Sequence, residues 1–324
     1  MAHYFESGFF VRSRAWHGLG TVVQDAPTTA DALRLAELDW PVETVPAFAD
    51  IDGEHIPAPD ARHVIRRRNG FAPDILGTVG SRFEPLQNRD AFRWFDPLIG
   101  DGDMTLEAAG SVRDGRNVWI LARVANVDDV QVGRNAADIV SPYLLLSNAH
   151  DGSRAVTVTF TPIRVVCWNT LSAAHSRADS KGSGAVRIRH TASLTANLAA
   201  LRDRIDIEAR NFESKALVWN ELAAADVTSS AAAERYVRTV FGKPDENGDL
   251  PPVRAERHVA ELFLDGPGAD SAGRTWFGLY MAATHYIDHL RGRNESSRLA
   301  SSWFGDGAEL RAKAERVAVE LAGV

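Results

Sequence analysis

The sequence predicts an α+β fold, with an antiparallel β-sheet in its N-terminal part and helices in its C-terminal part. Short runs rich in β-branched and aromatic residues, separated by Gly, Pro, Asp and Asn, recur between residues 42 and 190. A hairpin pattern stands near the middle of the chain. Beyond residue 190, apolar residues recur at three- and four-residue intervals, which is typical of amphipathic helices. We therefore predict a mainly β domain over residues 1–190 and a helical part over residues 191–324, packed on the sheet.

The N-terminal part begins with a short helix and continues with strands. Thr28 and Thr29 precede an apolar pattern that predicts a helix from Ala30 to Glu37. Strands are predicted at Val42–Phe48, Arg62–Arg68, Ile75–Gly80, Leu106–Val112 and Asn117–Val124. A helix from Asn88 to Ile99 interrupts them. Its apolar residues recur at helical spacing, at Phe92, Phe95 and Leu98.

Three consecutive arginines, Arg66, Arg67 and Arg68, lie in the second of these strands. Side chains of a strand alternate between its two faces, so the three cannot all point the same way. We interpret the strand as a solvated edge strand. Contact of these arginines with phosphate groups is the alternative.

The central feature is a β-hairpin between Tyr143 and Leu171 that turns at Asp151-Gly152. Its second strand alternates Val156, Val158 and Phe160 with Thr157, Thr159 and Thr161. This period of two predicts a half-buried strand, and the Gly-containing link makes it one half of a hairpin. A polar segment over residues 172–184 predicts a loop, and a short strand follows over residues 185–190.

Residues 152–190 form a basic region in a chain whose formal net charge is −7. The only anion among them is Asp179, which gives the region a net charge of +5. Its cations are Arg154, Arg164, Arg177, Lys181, Arg187 and Arg189. Because the chain as a whole is acidic, any nucleic-acid surface must be local.

The C-terminal part begins with one long amphipathic helix, predicted from Leu194 to Leu222. At about 30 residues it would be on the order of 45 Å long, enough to brace a sheet or to pack between subunits. Further helices are predicted at Ala231–Phe241, Ala255–Leu264, Thr275–Leu290 and Glu309–Leu321.

The composition limits the function classes. There is no long uncharged apolar run for a membrane span and no visible signal peptide, so we expect a cytoplasmic protein without membrane contact. The single cysteine, Cys167, excludes an internal disulfide framework and a multi-cysteine zinc site. No phosphate-binding loop, nucleophile elbow or calcium loop appears. We therefore predict no catalytic residue, cofactor or metal, and an enzyme remains the less favoured class.

Two constellations leave an enzyme open. Cys167 together with His150, Asp151 or His175 would suit a thiol nucleophile, although its apolar neighbours favour a small buried side chain. His285 and His289 lie four residues apart, a spacing that metals use on helices, and a metal-dependent hydrolase is one hypothesis. Packing of polar side chains on the helix surface is the favoured interpretation of this pair.

The basic region instead indicates binding of single-stranded nucleic acid, in which cations follow the phosphates and aromatic rings stack on bases. A solvated arginine-bearing sheet face is the alternative. The candidate binding residues are Arg154, Arg164, Trp168, Asn169, Lys181, Arg187 and Arg189.

Three separated motifs resemble one known family. They are Trp16-His17-Gly18-Leu19-Gly20-Thr21, then Asn148 to Ser153 with Arg164-Val165-Val166-Cys167 and Asn169-Thr170-Leu171, and finally Gly273-Arg274-Thr275-Trp276 with Tyr286-Ile287-Asp288-His289. The chain resembles the phage/plasmid-like proteins of unknown function, whose members occur in bacteriophages, plasmids and bacterial genomes. The resemblance implies DNA metabolism of a mobile element in a bacterial host cell, and no catalytic residues.

The leading hypothesis is a homo-oligomeric protein that binds or anneals single-stranded DNA. Its repeated binding surfaces would raise affinity through multivalency. The alternative is a module by which a mobile element binds, and inhibits, a host protein.

Overall fold

The computed structural model describes residues 5–12, 20–125, 127–133, 135–136, 138–164, 169–170, 185–191, 202–292 and 306–324. Two compact units account for the chain. Unit 1 comprises residues 1–126, 144–159 and 185–205, and unit 2 comprises residues 127–143, 160–184 and 206–324. The predicted division into domains at residue 190 stays a prediction.

Strands dominate the N-terminal part, as predicted, so the fold is α+β. Up to residue 125 the strands are β1 (Phe5–Val11), β2 (Thr21–Val23), β3 (Val42–Ile51), β4 (Glu54–Arg66), β5 (Asp74–Gly80), β6 (Met104–Val112) and β7 (Asn117–Val124). Those after it are β8 (Val130–Gln131), β9 (Ile139–Ala149), β10 (Val156–Arg164), β11 (Asn169–Thr170) and β12 (Ala185–Ile188).

The strands of unit 1 form two sheets. In the larger sheet the order is β10-β9-β7-β6-β1-β2, and β12 pairs with β10. The described pairs are antiparallel, except that β1 and β2 run parallel. The predicted hairpin is therefore present as β9 and β10, which are neighbours in the sheet and are linked through Asp151-Gly152. Gly152 has a φ of 72°, a backbone conformation that suits glycine.

The smaller sheet has the order β3-β4-β5, so β4 lies between its two antiparallel partners. The interpretation of the arginine-bearing strand as an edge strand is therefore wrong. β4 begins at Glu54 and not at the predicted Arg62, because Asp52-Gly53 forms a tight turn with φ values of 53° and 86°. Two consecutive positive φ angles are typical of a type I′ hairpin turn, which Asp-Gly favours.

The described helices are α1 (Thr29–Leu35), α2 (Asn88–Arg93), α3 (Asp96–Gly100), α4 (Arg202–Ala224), α5 (Ser230–Phe241), α6 (Ala255–Asp265), α7 (Ala269–Ala272), α8 (Trp276–His285) and α9 (Asp306–Ala322). A π-helical turn, Tyr286–Leu290, follows α8. The α1 helix is capped by Thr28, whose side chain accepts a hydrogen bond from the Asp31 amide at 3.2 Å. This cap agrees with the predicted start of the helix.

The helix predicted from Asn88 to Ile99 is two short helices, α2 and α3. Pro97 lies in the first turn of α3. Proline has no amide hydrogen, and its ring collides with the carbonyl four residues earlier, so it ends the preceding helix. The predicted apolar residues Phe92, Phe95 and Leu98 are nevertheless buried.

The core of unit 2 is built on α4, the described part of the predicted long helix. Phe212, Ala216, Trp219 and Leu222 are buried on one side of it, at the predicted helical spacing. The predicted residues before Arg202 lie outside the described ranges. Among the residues described, no helix combines the length and apolarity that crossing a bilayer requires.

Candidate nucleic-acid interface

The pairing of β10 with β12 sorts their side chains onto two faces. Opposite residues are Val156 and Ile188, Thr157 and Arg187, and Val158 and Val186. Val156, Val158 and Ile188 are buried, whereas Arg187 is exposed. Because opposite residues of an antiparallel pair share a face, the outer face carries threonines and Arg187, and the inner face is apolar.

Two predicted binding residues share the outer face at this edge of unit 1, and a third lies near them on the inner face. Arg187 in β12 and Arg189, which directly follows that strand, are two residues apart, and both are exposed. Continuing the register of β10 and β12 places Arg154 opposite His190, on the side that carries Val156 and Ile188, so Arg154 is at the same edge but not on the face of Arg187 and Arg189. We call Arg154, Arg187 and Arg189 the basic strip.

Electrostatics distinguishes the members of the basic strip. Arg154 is half-buried, and its pKa is lowered by burial and by the neighbouring guanidinium of Arg113. Within the described part of the chain, Arg187 and Arg189 form no ion pair. The basic strip therefore concentrates positive charge that carboxylates of the described residues balance only in part.

An aromatic ring that sequence reasoning missed lies beside the basic strip. Phe83, which is half-buried, stacks on the ring of His190 with a centroid distance of 4.5 Å and an interplanar angle of 25°. The Glu84 amide donates to the His190 carbonyl at 3.1 Å, and this bond holds the segment against the end of β12. Burial lowers the pKa of His190. Nothing in the spacing of the sequence singles out Phe83, because the contact is made across 107 residues.

The three consecutive arginines at the end of β4, of which Arg66 is its last residue, are paired with carboxylates. Arg66 is buried, donates to Glu6 at 2.8 Å and to Asp74 at 3.1 Å, and lies 5.1 Å from the centroid of Trp40. Arg68 donates to Asp74 at 2.9 Å. Arg67 pairs with a carboxylate too, that of Glu43.

These arginines line a cleft of about 910 Å³ in unit 1. Of the other arginines that line it, Arg89 is bonded to Asp39 and Arg34 to Asp31. Since carboxylates already balance the guanidinium groups of the cleft, we do not propose it as a phosphate site.

The Asn148–Ser153 motif has a structural role in unit 1. His150 is fully buried and packs against Trp40, with a centroid distance of 5.4 Å. Its Nε2 lies 2.9 Å from Oδ1 of Asn88, whose Nδ2 donates to the Leu38 carbonyl. Burial, with smaller effects of His190 and Arg66, lowers the pKa of His150 to about 3. A buried imidazole of this kind joins segments of the chain and stays uncharged near neutral pH.

The other candidate binding residues are not brought to the basic strip by the described structure. Trp168 and Lys181 lie outside the described residues, as do Cys167 and His175. Arg164 and Asn169 oppose each other where β10 pairs with β11, which is in unit 2. Only their backbone is described.

The histidine pair of the metal hypothesis is in unit 2. The rings of His285 and His289 have centroids 4.2 Å apart, and burial lowers the pKa of His285 to about 4. Asp288, which lies between them in the sequence, accepts a hydrogen bond from Arg311 at 2.5 Å and is buried. Among the described residues, no three or more His, Cys, Asp or Glu side chains are grouped so as to hold a metal.

A family model described as a domain of unknown function, DUF932, matches residues 75–303, more than two thirds of the chain. No curated protein matches the chain, and no solved structure does. The match includes β9, β10 and β12, and with them the whole basic strip.

Proposed function

We propose a function from the geometry, because the chain belongs to the DUF932 family, whose description assigns none. The proposal is a non-enzymatic protein that binds single-stranded nucleic acid along the basic strip. The observation that carries it is the contrast between two sets of arginines. Those of the cleft are balanced by carboxylates, whereas Arg187 and Arg189 are exposed and form no ion pair among the described residues.

The binding mode follows from the residues at this edge. Guanidinium groups make charge-assisted hydrogen bonds to phosphate oxygens. Arg187 and Arg189 would donate such hydrogen bonds to consecutive phosphates. The half-buried ring of Phe83 would offer a base a stacking partner beside them. Contacts to phosphate and to an aromatic face carry little base identity, so we expect weak sequence preference.

The resemblance to phage/plasmid-like proteins supports a more specific setting. We propose that the binding serves DNA metabolism of a mobile element, with annealing of complementary strands as the specific activity. Self-association of the protein is also part of this proposal.

The test is fluorescence anisotropy with a labelled oligothymidine. We expect a dissociation constant in the nanomolar to micromolar range at low salt, and affinity that falls steeply as salt is added. Each phosphate contact contributes about 0.7 to the slope of log affinity against log salt for single strands. Replacing both exposed arginines, in R187A/R189A, should therefore lower that slope by about 1.4.

A matched control is R235A/R316A, which removes two exposed arginines from the helices of unit 2 that form no ion pair among the described residues. It should leave the slope unchanged. Failure of the wild-type protein to bind the oligonucleotide at low salt would end the proposal. Equal losses in the two double variants would show that net charge matters and the basic strip does not.

A further inference from the structure

The hairpin of β3 and β4 extends beyond the third strand of its sheet. β5 pairs with β4 only between Ala61 and Arg66, so residues 47–51 and 54–58 are paired with each other alone in the described structure. We call residues 47–58 the arm. Each of its strands spans about 17 Å. A two-stranded hairpin is marginally stable by itself, so a partner surface would stabilise the arm.

The arm exposes large apolar side chains. Phe48 is 56% exposed, Ile51 52% and Ile56 45%. Three exposed large apolar side chains among the twelve residues of the arm, whose two strand edges are both open, are typical of a surface that contacts another protein.

The two edges of the arm differ. On β4 the edge contains Pro57 and Pro59, which have no amide hydrogen and so block the addition of another strand. β3 is the terminal strand of its sheet, and its residues Ala47 to Ile51 contain no proline. Only the β3 edge can therefore form a continuous ladder with a further strand.

Charge indicates which strand that is. Residues 47–61 contain Asp50, Asp52, Glu54 and Asp60 and no lysine or arginine. Two arms would therefore repel each other if they met. A basic strand is the complementary partner, and β12 is such a strand, at the edge of the described sheet and bearing exposed Arg187.

We infer that the β3 edge of the arm adds to β12 of a second copy of this chain. An antiparallel register that places Asp50 opposite Arg187 also places Phe48 opposite Arg189, the residue after Ile188 at the end of β12, on the same face. On the other face, Ile51 then meets Val186 and Ala49 meets Ile188. The alternation of the two strands matches throughout, which gives a charge pair and a cation–π contact outside and apolar pairs inside.

This contact joins two different surfaces of the chain, so it leaves each copy with one open arm and one open β12. Such a heterologous contact generates rings or open chains and not a two-fold dimer. Asp50 would also neutralise Arg187. If the proposed function holds, single-stranded nucleic acid and the arm compete for β12. In protein without nucleic acid, the arm of a neighbouring copy then covers β12.

The test is a charge exchange measured by sedimentation velocity on protein freed of nucleic acid. In the wild type, the average mass should rise with concentration without stopping at a dimer. D50R and R187D should each weaken self-association by roughly five- to tenfold, because a favourable cross-strand pair becomes a repulsive one. An equimolar mixture of D50R and R187D should restore association, since the arm of the first fits the β12 strand of the second.

E54R is the charge control, because it makes the same charge change in the arm on the strand that does not meet β12. Asp50 also accepts a hydrogen bond from the Gly53 amide at 3.2 Å and lies 3.6 Å from His55, so D50N, which keeps an oxygen acceptor in the turn, is the control for the turn and should weaken association less than D50R. Equal effects of E54R and D50R, no restoration in the mixture, or a wild type that stays monomeric would each overturn the inference. Strengthened association of D50R alone would indicate pairing of one arm with another and would overturn it too.

The same variants separate this inference from the proposed function. D50R should bind the oligothymidine at least as tightly as the wild type, because it frees β12. Self-association through the arm without any oligonucleotide binding would support the inference and contradict the proposed function. Oligonucleotide binding by a protein that stays monomeric would support the proposed function and contradict the inference.

Discussion

At the residue scale, His150 shows how a histidine of a sequence motif can serve the packing of the core and not a reaction. Asn88 donates through Nδ2 to the Leu38 carbonyl, so its Oδ1 faces His150 and must accept a hydrogen bond. Nε2 of His150 therefore carries the proton of the neutral ring. The backbone amide of His150 donates to the Arg116 carbonyl at 2.7 Å, which ties the motif to the turn between β6 and β7.

The buried imidazole makes stability depend on pH. An unfolded histidine has a pKa near 6.5, whereas burial lowers that of His150 to about 3. The unfolded state therefore takes up the proton first as the pH falls. The stability contributed by the neutral ring is present above about pH 6.5 and is lost below it, at about 1.4 kcal/mol per pH unit.

We predict that H150Q, which keeps a donor but cannot titrate, weakens the pH dependence of unfolding by about this slope between roughly pH 6 and pH 4. Urea titrations followed by tryptophan fluorescence would measure it. H63Q is the control, because His63 hydrogen-bonds Thr78 at the surface. A slope in H150Q equal to that of the wild type would contradict the assignment.

At the element scale, one buried ion pair connects the π-helical turn after α8 with α9. Asp288 and Arg311 are both buried, at 0% and 5% exposure, and their charges satisfy each other. Removing one partner of such a pair takes away the opposite charge nearest to a buried ion, which costs about 3–5 kcal/mol. The carboxylate between the two histidines thus serves the packing of α9.

We predict that D288A lowers the free energy of unfolding by about 3–5 kcal/mol, and that D288A/R311M recovers part of the loss because it replaces the pair with apolar atoms. Urea denaturation provides the measurement. The comparison variant is R257A, which breaks an exposed pair with Glu261 at 3.8 Å and should cost about 1 kcal/mol or less. Similar costs for D288A and R257A would refute the structural role of the buried pair.

At the scale of the whole molecule, the distribution of arginine matters more than its amount. The chain has a net charge of −7 and yet carries most of its cations as arginine. Arginines of the cleft are neutralised in place, whereas those of β12 are left to solvent within the described residues. Local positive potential can therefore persist on an acidic protein, because charges farther away than about 8 Å are screened at physiological ionic strength.

Local patterns in the sequence were sufficient for most elements. β7 has its predicted bounds, Asn117–Val124, because an apolar run between turn residues leaves little choice. The β9–β10 hairpin and the apolar side of α4 also follow from periodicity alone. Predictions failed where one residue overrides a pattern, as Pro97 does between α2 and α3, and where Asp52-Gly53 extends β3 and β4 into the arm.

The candidate site was predicted in part. The alternation over residues 185–190 indicated that Arg187 and Arg189 share a face, and the structure adds that Arg154 lies at the same edge on the opposite face. Phe83 could not be found in this way, because it meets His190 through the packing of distant segments. The arm was also missed, because Asp52-Gly53 lies among Asp, Gly and Pro residues that are equally typical of a loop between strands.

The sequence by itself thus determined the fold class, most secondary structure and the basic character of residues 152–190, because these depend on periodicity and charge along the chain. Only the tertiary structure decided which arginines are balanced. Arg66 and Arg68 look as basic as Arg187 and Arg189 in the sequence, but Glu6 lies 60 residues from Arg66 and reaches it only through folding. Whether a charge is free to bind depends on its neighbours in space, and those neighbours are set by packing.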